Sequence, residues 1–325
     1  MVISRGSPPF RGGAGCLLQP ALASRAGASY IKPVQFRKIS LVGVGLLGGS
    51  LGLAIKHRRL AERVAGYVRR AASVDECLRA GVADAVTTDL EPAITEADLV
   101  VLCTPIAQMR ALADRMVPCL KPGALITDVG SVKSSVVRDL APCARRAGAV
   151  FIGSHPMAGA EKMGVAAARA DLFEKAWCVV TPAPGSAPGD VDRLRRFWES
   201  VGSRTMVLDP GLHDQLVSRS SHLPHLVAAG LSNLVLDPSH PHEQALLCAS
   251  GFRDTTRVAS GSPEMWRDIA LANRENLVRG LGEFLGGLQD FQRALEAGDE
   301  AAVIRFFQVA KQRRDAWCEQ TYSPE

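Results

Sequence analysis

Lys38-Ile39-Ser40-Leu41-Val42-Gly43-Val44-Gly45-Leu46-Leu47-Gly48 is the stretch on which the architecture turns. Lys38 to Val44 is a short apolar, partly β-branched run of the kind that forms a buried strand. Helix-forming residues from Leu51 to Lys56 follow the glycines, and a second strand candidate stands at Val64–Tyr67. A glycine-rich hexamer recurs by chance; between a strand and a helix, at the head of a βαβ unit, it reads as a dinucleotide fingerprint. Gly43 then makes the tight turn, Gly45 lets backbone approach a pyrophosphate, and Gly48 lets helix and strand pack closely. The helix N-terminus offers unpaired N–H groups to phosphate. Gly43, Gly45, Leu46, Leu47 and Gly48 are therefore the expected cofactor cradle, with Thr104 beside it at the end of a later strand.

Outward from this unit the pattern continues. Strand candidates at Leu99–Cys103, Leu125–Asp128, Val150–Ser154 and Trp177–Thr181 are separated by helical stretches that include Ile106–Val117 and Val132–Leu140. Ser73 to Glu76 reads as a capping box opening a helix that Gly81 closes. Buried runs alternating with helices predict a Rossmann-type, doubly wound parallel sheet in the α/β class. After Thr181 strand signals nearly cease. Thr181–Gly189, rich in proline and glycine, reads as a linker, and helical patterns follow at Val191–Val201, His213–Leu236, His242–Gly251, Pro263–Ala297 and Asp299–Gln320. An all-helical dimerisation domain is the expectation for this half. The expected division is residues 1–35 as a disordered extension, 36–184 as the nucleotide-binding domain and 185–325 as the helical substrate and dimerisation domain.

Composition bounds the class. At 325 residues two domains are expected, and 47% hydrophobic with 22% charged residues excludes wholesale disorder. No apolar run approaches the roughly 18 residues of a membrane span. The net charge of +5 is too mild to imply nucleic acid. Eight scattered cysteines form no C-x-x-C pair, so reduced thiols in a cytoplasmic protein and no metal site are expected. Residues 1–35 carry Arg5, Arg11, Arg25 and Lys32 and no acid. A targeting segment, a disordered tail and sequence upstream of a mis-assigned start all share that texture.

The second strand should end, about 20 residues after the last glycine, on an acid that reads the ribose hydroxyls. Val68 stands there, followed by Arg69 and Arg70. A carboxylate would repel a 2′-phosphate; arginines bind it. NADP⁺ is favoured over NAD⁺.

Four further segments carry chemistry: Asp128-Val129-Gly130-Ser131-Val132-Lys133; Gly153-Ser154-His155-Pro156-Met157-Ala158-Gly159-Ala160-Glu161; Ser221-His222-Leu223-Pro224-His225; and Phe252-Arg253-Asp254-Thr255-Thr256-Arg257. The first two follow strands, where an open α/β sheet binds ligands. With the glycine-rich turn and Met265-Trp266-Arg267-Asp268, these motifs in this order resemble the prephenate and arogenate dehydrogenases of tyrosine biosynthesis, from about Arg37 to Ala316. Two departures stand out: the missing acid after the second strand, and Ala160 where some members carry Thr.

The resemblance implies oxidative decarboxylation. Hydride leaves C4 of a cyclohexadienyl acid for the nicotinamide, carbon dioxide leaves C1, and the ring becomes aromatic. In that reading His155 accepts the C4 hydroxyl proton, and Ser131 holds the hydroxyl and fixes the imidazole's orientation. Arg257 grips the ring carboxylate and His225 the side chain. Glu161 and Asp214 are acids that either support the site residues from behind or gate the pocket, pairing with basic groups at its mouth, and Trp266 lines the site, from this subunit or a neighbour. A hydroxyacid dehydrogenase of the 3-hydroxyisobutyrate type would use a helical lysine instead of His155. A non-catalytic NAD(P)-binding regulator would have lost the Ser131, His155 and Arg257 set.

Overall fold

A computed structural model of the chain describes residues 36–160 and 162–322. The expected N-terminal extension and Glu161 lie outside them. The described residues form one eight-stranded sheet in the order β3-β2-β1-β4-β5-β6-β7-β8. The strands are β1 (Phe36–Val42), β2 (Ala61–Tyr67), β3 (Ala85–Thr87), β4 (Leu99–Leu102), β5 (Leu125–Asp128), β6 (Val150–Pro156), β7 (Trp177–Pro182) and β8 (Arg204–Val207). All pair in parallel except β6 with β7.

Helices α1 (Leu46–His57), α2 (Ala72–Arg79), α3 (Leu90–Ile94), α4 (Ile106–Met116), α5 (Ser134–Arg146) and α6 (Pro188–Ser200) connect the strands. Strand side chains alternate between faces, which is why these strands read as continuous apolar runs. Ile39, Leu41, Leu99 and Val101 enter one core with Leu51, Ile55 and Trp198; Val42, Val100, Leu102 and Ile126 enter the other with Met109 and Leu140. Both faces are covered, so the polar ends of the strands are left to bind.

Three local expectations differ. The capping box at Ser73 does not form: the chain already turns at Arg70 and Ala71, Ser73 N–H donates to the Arg70 carbonyl, and α2 has no side-chain cap. The strands do not stop at Thr181, because α6 carries the chain back to β8 beside β7. The proline-rich stretch is therefore the connection from β7 to α6 and not a linker between domains. The strand β8 is a half-exposed edge of four residues with no apolar run to betray it.

The C-terminal half is helical: α7 (Pro210–Val217), α8 (Leu223–Val235), α9 (His242–Leu246), α10 (Ser250–Thr256), α11 (Pro263–Ala272), α12 (Arg274–Glu296) and α13 (Glu300–Tyr322). A π-helical turn, Ser218–His222, joins α7 to α8. Pro224 follows it, and a proline cannot donate to the carbonyl four residues back; the wider turn absorbs that misfit. The long helix expected over Pro263–Ala297 breaks at Asn273. No helix among the described residues is long and apolar enough to cross a membrane.

Candidate active site

The order β2-β1-β4 reverses the winding of the sheet at β1 and β4, and the crevice beyond their carboxyl ends is where such sheets bind nucleotides. Gly43 has φ +95°, a conformation that side chains resist, and a Cβ there would stand 2.8 Å from Thr104 Cγ2. A Cβ on Gly48 would fall 2.1 Å from the Gly43 carbonyl oxygen, so the helix could not lie this close to the turn. Around Gly45 nothing lies within 4 Å of that position: room is left for a phosphate. Gly43, Gly45, Arg69, Arg70, Thr104 and Arg115 line a cleft of about 670 Å³. Thr104 Oγ1 is buried and without a hydrogen-bond partner, as a ligand-facing hydroxyl would be. Leu46 and Gly48 are buried behind the turn, so their contribution is backbone and packing. The cradle fits a dinucleotide.

Along the same edge of the sheet, β6 delivers His155, which is 7% exposed. Its Nδ1 lies 2.9 Å from His213 Nε2, and His213 Nδ1 lies 2.8 Å from Asp214 Oδ1. Asp214 accepts the backbone N–H groups of Lys133 at 2.7 Å and Ser134 at 2.8 Å, which open α5. Burial opposes its ionisation, but the bonds from His213, Ser134 and the backbone outweigh that and hold the carboxyl below its ordinary range. Beneath this group Lys133, fully buried, pairs with Asp128 and donates to the Ser154 carbonyl. Burial, then the neighbouring His213 and Lys133, push His155 well below 6.5. His155 is neutral at neutral pH.

A second layer comes from the π turn. The Asn273 amide donates to the Asp214 carbonyl at 2.9 Å and lies 3.2 Å from His222 Nδ1. His222 Nε2 is buried without a partner, and burial lowers this imidazole to about 4. Trp266 stacks on His225 with centroids 3.9 Å apart and meets His222 edge-on at 6.1 Å. His225 Nδ1–H donates to the Ser221 carbonyl, which leaves its Nε2 for a ligand. Arg257 is exposed and opens a single 3₁₀ turn packed against α8.

Comparison with known proteins fits these features. The model described as the prephenate dehydrogenase nucleotide-binding domain matches residues 51–207, and the prephenate dehydrogenase dimerization domain matches residues 209–309. The chain is 35% identical to the prephenate dehydrogenase of Bacillus subtilis, over 85% of this chain and 75% of that one. The chain belongs to the prephenate dehydrogenase family. It is also 32% identical to the cyclohexadienyl dehydrogenase of Zymomonas mobilis, over 86% of this chain and 95% of that one. The crystal structure of the Aquifex aeolicus prephenate dehydrogenase in complex with hydroxyphenyl propionate and NAD⁺ superposes with a TM-score of 0.81 at 30% identity, covering 88% of this chain and 99% of that one. This family member is an NAD(P)-dependent oxidoreductase of Rossmann-type fold with a helical C-terminal domain.

Within it, Gly43, Gly45, Arg69, Arg70 and Thr104 gather at one cleft, while His155, Asp214, His225 and Trp266 belong to one linked set of side chains. Asp214 is not at the pocket mouth, one of the two places expected for it: it is 2% exposed, because two helix N–H groups and an imidazole claim its oxygens. Trp266 reaches His225 from the same chain. Ser131 lies on the loop between β5 and α5, and among the described residues no hydrogen bond joins its hydroxyl to His155. Sequence reading passed over His213 as a site residue, although its place beside Asp214 is a spacing signal. It also passed over Asn273 and Arg115, which carry no motif.

Proposed function

We propose that this enzyme oxidatively decarboxylates prephenate, or its amino counterpart arogenate, on the way to tyrosine. The observation that carries the reading is His155: a buried, neutral imidazole at the carboxyl end of a central strand, in a chain whose fingerprint cleft fits a dinucleotide. When bound, the oxidised nicotinamide supplies a hydride acceptor. The chain's own residues do the rest. His155 accepts the C4 hydroxyl proton, assistance typically worth ~10²–10⁴ in rate, and Ser131 holds that hydroxyl. Arg257 clamps the ring carboxylate bidentately, His225 meets the side chain, Trp266 fixes the His225 ring, and Glu161 guards the entrance. Loss of carbon dioxide from C1 makes the ring aromatic and drives the reaction forward.

NADP⁺ is the favoured cofactor. Arg69, Arg70 and Arg115 line the cleft, and among the described residues no carboxylate lines it with them to repel a 2′-phosphate. The enzyme works as a cytoplasmic homodimer, with the sheet half holding cofactor and the helical half gripping substrate. Support for the dimer is an uncovered apolar face on α12, where Val278 and Leu285 are exposed and Gly282, Gly286 and Gly287 have open space for a partner helix.

The test supplies purified enzyme with prephenate or arogenate and with NAD⁺ or NADP⁺, and follows absorbance of the reduced nicotinamide. Turnover of one or both acids is expected, faster with NADP⁺. Absence of reduction with every pair would overturn the reading.

A further inference from the structure

The hydrogen-bonded line from Asp214 through His213 to His155 has a direction. Asp214 is held as a carboxylate, since both its oxygens accept N–H groups from α5, and a carboxylate can only accept. The proton between it and His213 therefore sits on His213 Nδ1. His213 is itself lowered by burial and by the Lys133 charge, so it is neutral and its Nε2 carries a lone pair. That lone pair lies 2.9 Å from His155 Nδ1, and the contact is a hydrogen bond only if His155 Nδ1 bears the proton.

We propose that His213 and Asp214 are positioning residues which lock His155 in the tautomer with its proton on Nδ1, leaving Nε2 bare to take the substrate's hydroxyl proton. This rests on His155 being the base. The lock also joins the two halves of the chain. Asp214 stands on α7, whereas the N–H groups it binds belong to Lys133, at the end of the segment between β5 and α5 that carries Ser131, and to Ser134, the first residue of α5. When α7 is seated there, one carboxylate sets both the Ser131 loop and the His155 ring. The line moves no charge in the resting enzyme. When His155 takes the hydroxyl proton it becomes an imidazolium that donates to His213, while Asp214 remains ionised.

The test reads the tautomer directly. Enzyme labelled with ¹⁵N-histidine is compared by NMR with its His155→Gln variant to assign the two His155 nitrogens, above neutral pH. The expected wild-type spectrum has His155 Nδ1 protonated and Nε2 unprotonated. In His213→Leu the acceptor is gone, the His155 proton redistributes to Nε2, and kcat falls by about 10²-fold or more, the worth of base assistance, with KM little changed. In His213→Gln the side-chain amide donates to Asp214 and its oxygen accepts from His155, so the wild-type tautomer and most of kcat return.

A wild-type His155 protonated on Nε2 overturns the proposal even if the leucine variant fails to fold. So does an unchanged kcat in a folded His213→Leu enzyme. Because the tautomer is read without turnover, finding the lock in a protein that reduces neither cofactor would sink the proposed reaction and leave the lock standing.

Discussion

A buried imidazole that must stay neutral is a demanding object, and the residues around His155 are arranged to keep it so. Burial disfavours the imidazolium most, and the neighbouring His213 and Lys133 add to it. The pH consequence follows. His155 protonates well below 6.5, so kcat/KM should be flat through neutral pH and fall only in the acid range, at a pH lower than a solvent-exposed histidine would give. A profile breaking at or above 6.5 would contradict this. His155→Asn should still bind cofactor in a fluorescence titration while losing most turnover; near-normal turnover would remove His155 from the mechanism. His222 adds a stability effect. Its folded value of about 4 lies below the ordinary 6.5, so the unfolded chain binds the proton more readily. The contribution is complete above 6.5 and is lost as pH falls through 4. His222→Asn should flatten the slope of unfolding free energy in that window.

Elements transmit these demands. Asp128 ends β5 and Lys133 immediately precedes α5, both fully buried. Removing one member of such a pair strands the other charge, at a cost of ~3–5 kcal/mol. Lys133→Met should therefore lower the unfolding free energy from urea denaturation by an amount of that order, and a change under about 1 kcal/mol would mean that water reaches Asp128. The break between α11 and α12 exists where Asn273 donates to the Asp214 carbonyl and meets His222, so this helix end also braces the line from Asp214 to His155. The glycine turn before α1 is just as constrained. Gly48→Ala would drive a methyl into the Gly43 carbonyl 2.1 Å away, and the expected outcome is weak cofactor binding, measured as a higher Kd for NADP⁺.

At the scale of the molecule, the C-terminal helices leave apolar surface that the single chain does not cover. Val278 is 71% exposed and Leu271 65%, with Phe307 at 59% on α13. Exposed apolar area of this extent marks an interaction surface, and the family's helical part is described as a dimerization domain. Sedimentation should give a dimer, and Val278→Glu, which would bury an unpaired carboxylate at the seam, should shift it toward monomer. A wild-type monomer at micromolar concentration would contradict the assignment.

Local patterning determined a great deal here. Strands buried on both faces announce themselves as apolar runs, and the three glycines carry their purpose in their spacing, so the sheet and the cofactor cleft were legible along the chain. The edge strand β8 was not, because a half-exposed strand of four residues has no run to read. Nor was the partner of His155. His213 lies 58 residues from His155 and meets it only because α7 docks against α5 and β7. Asp214 could not be told between a supporting and a gating acid for the same reason: whether a carboxylate faces a pocket mouth or caps a distant helix is set by what packs over it. Sequence specifies which side chains are present and how the chain is wound; which of them share a proton is decided by contacts between segments far apart along it.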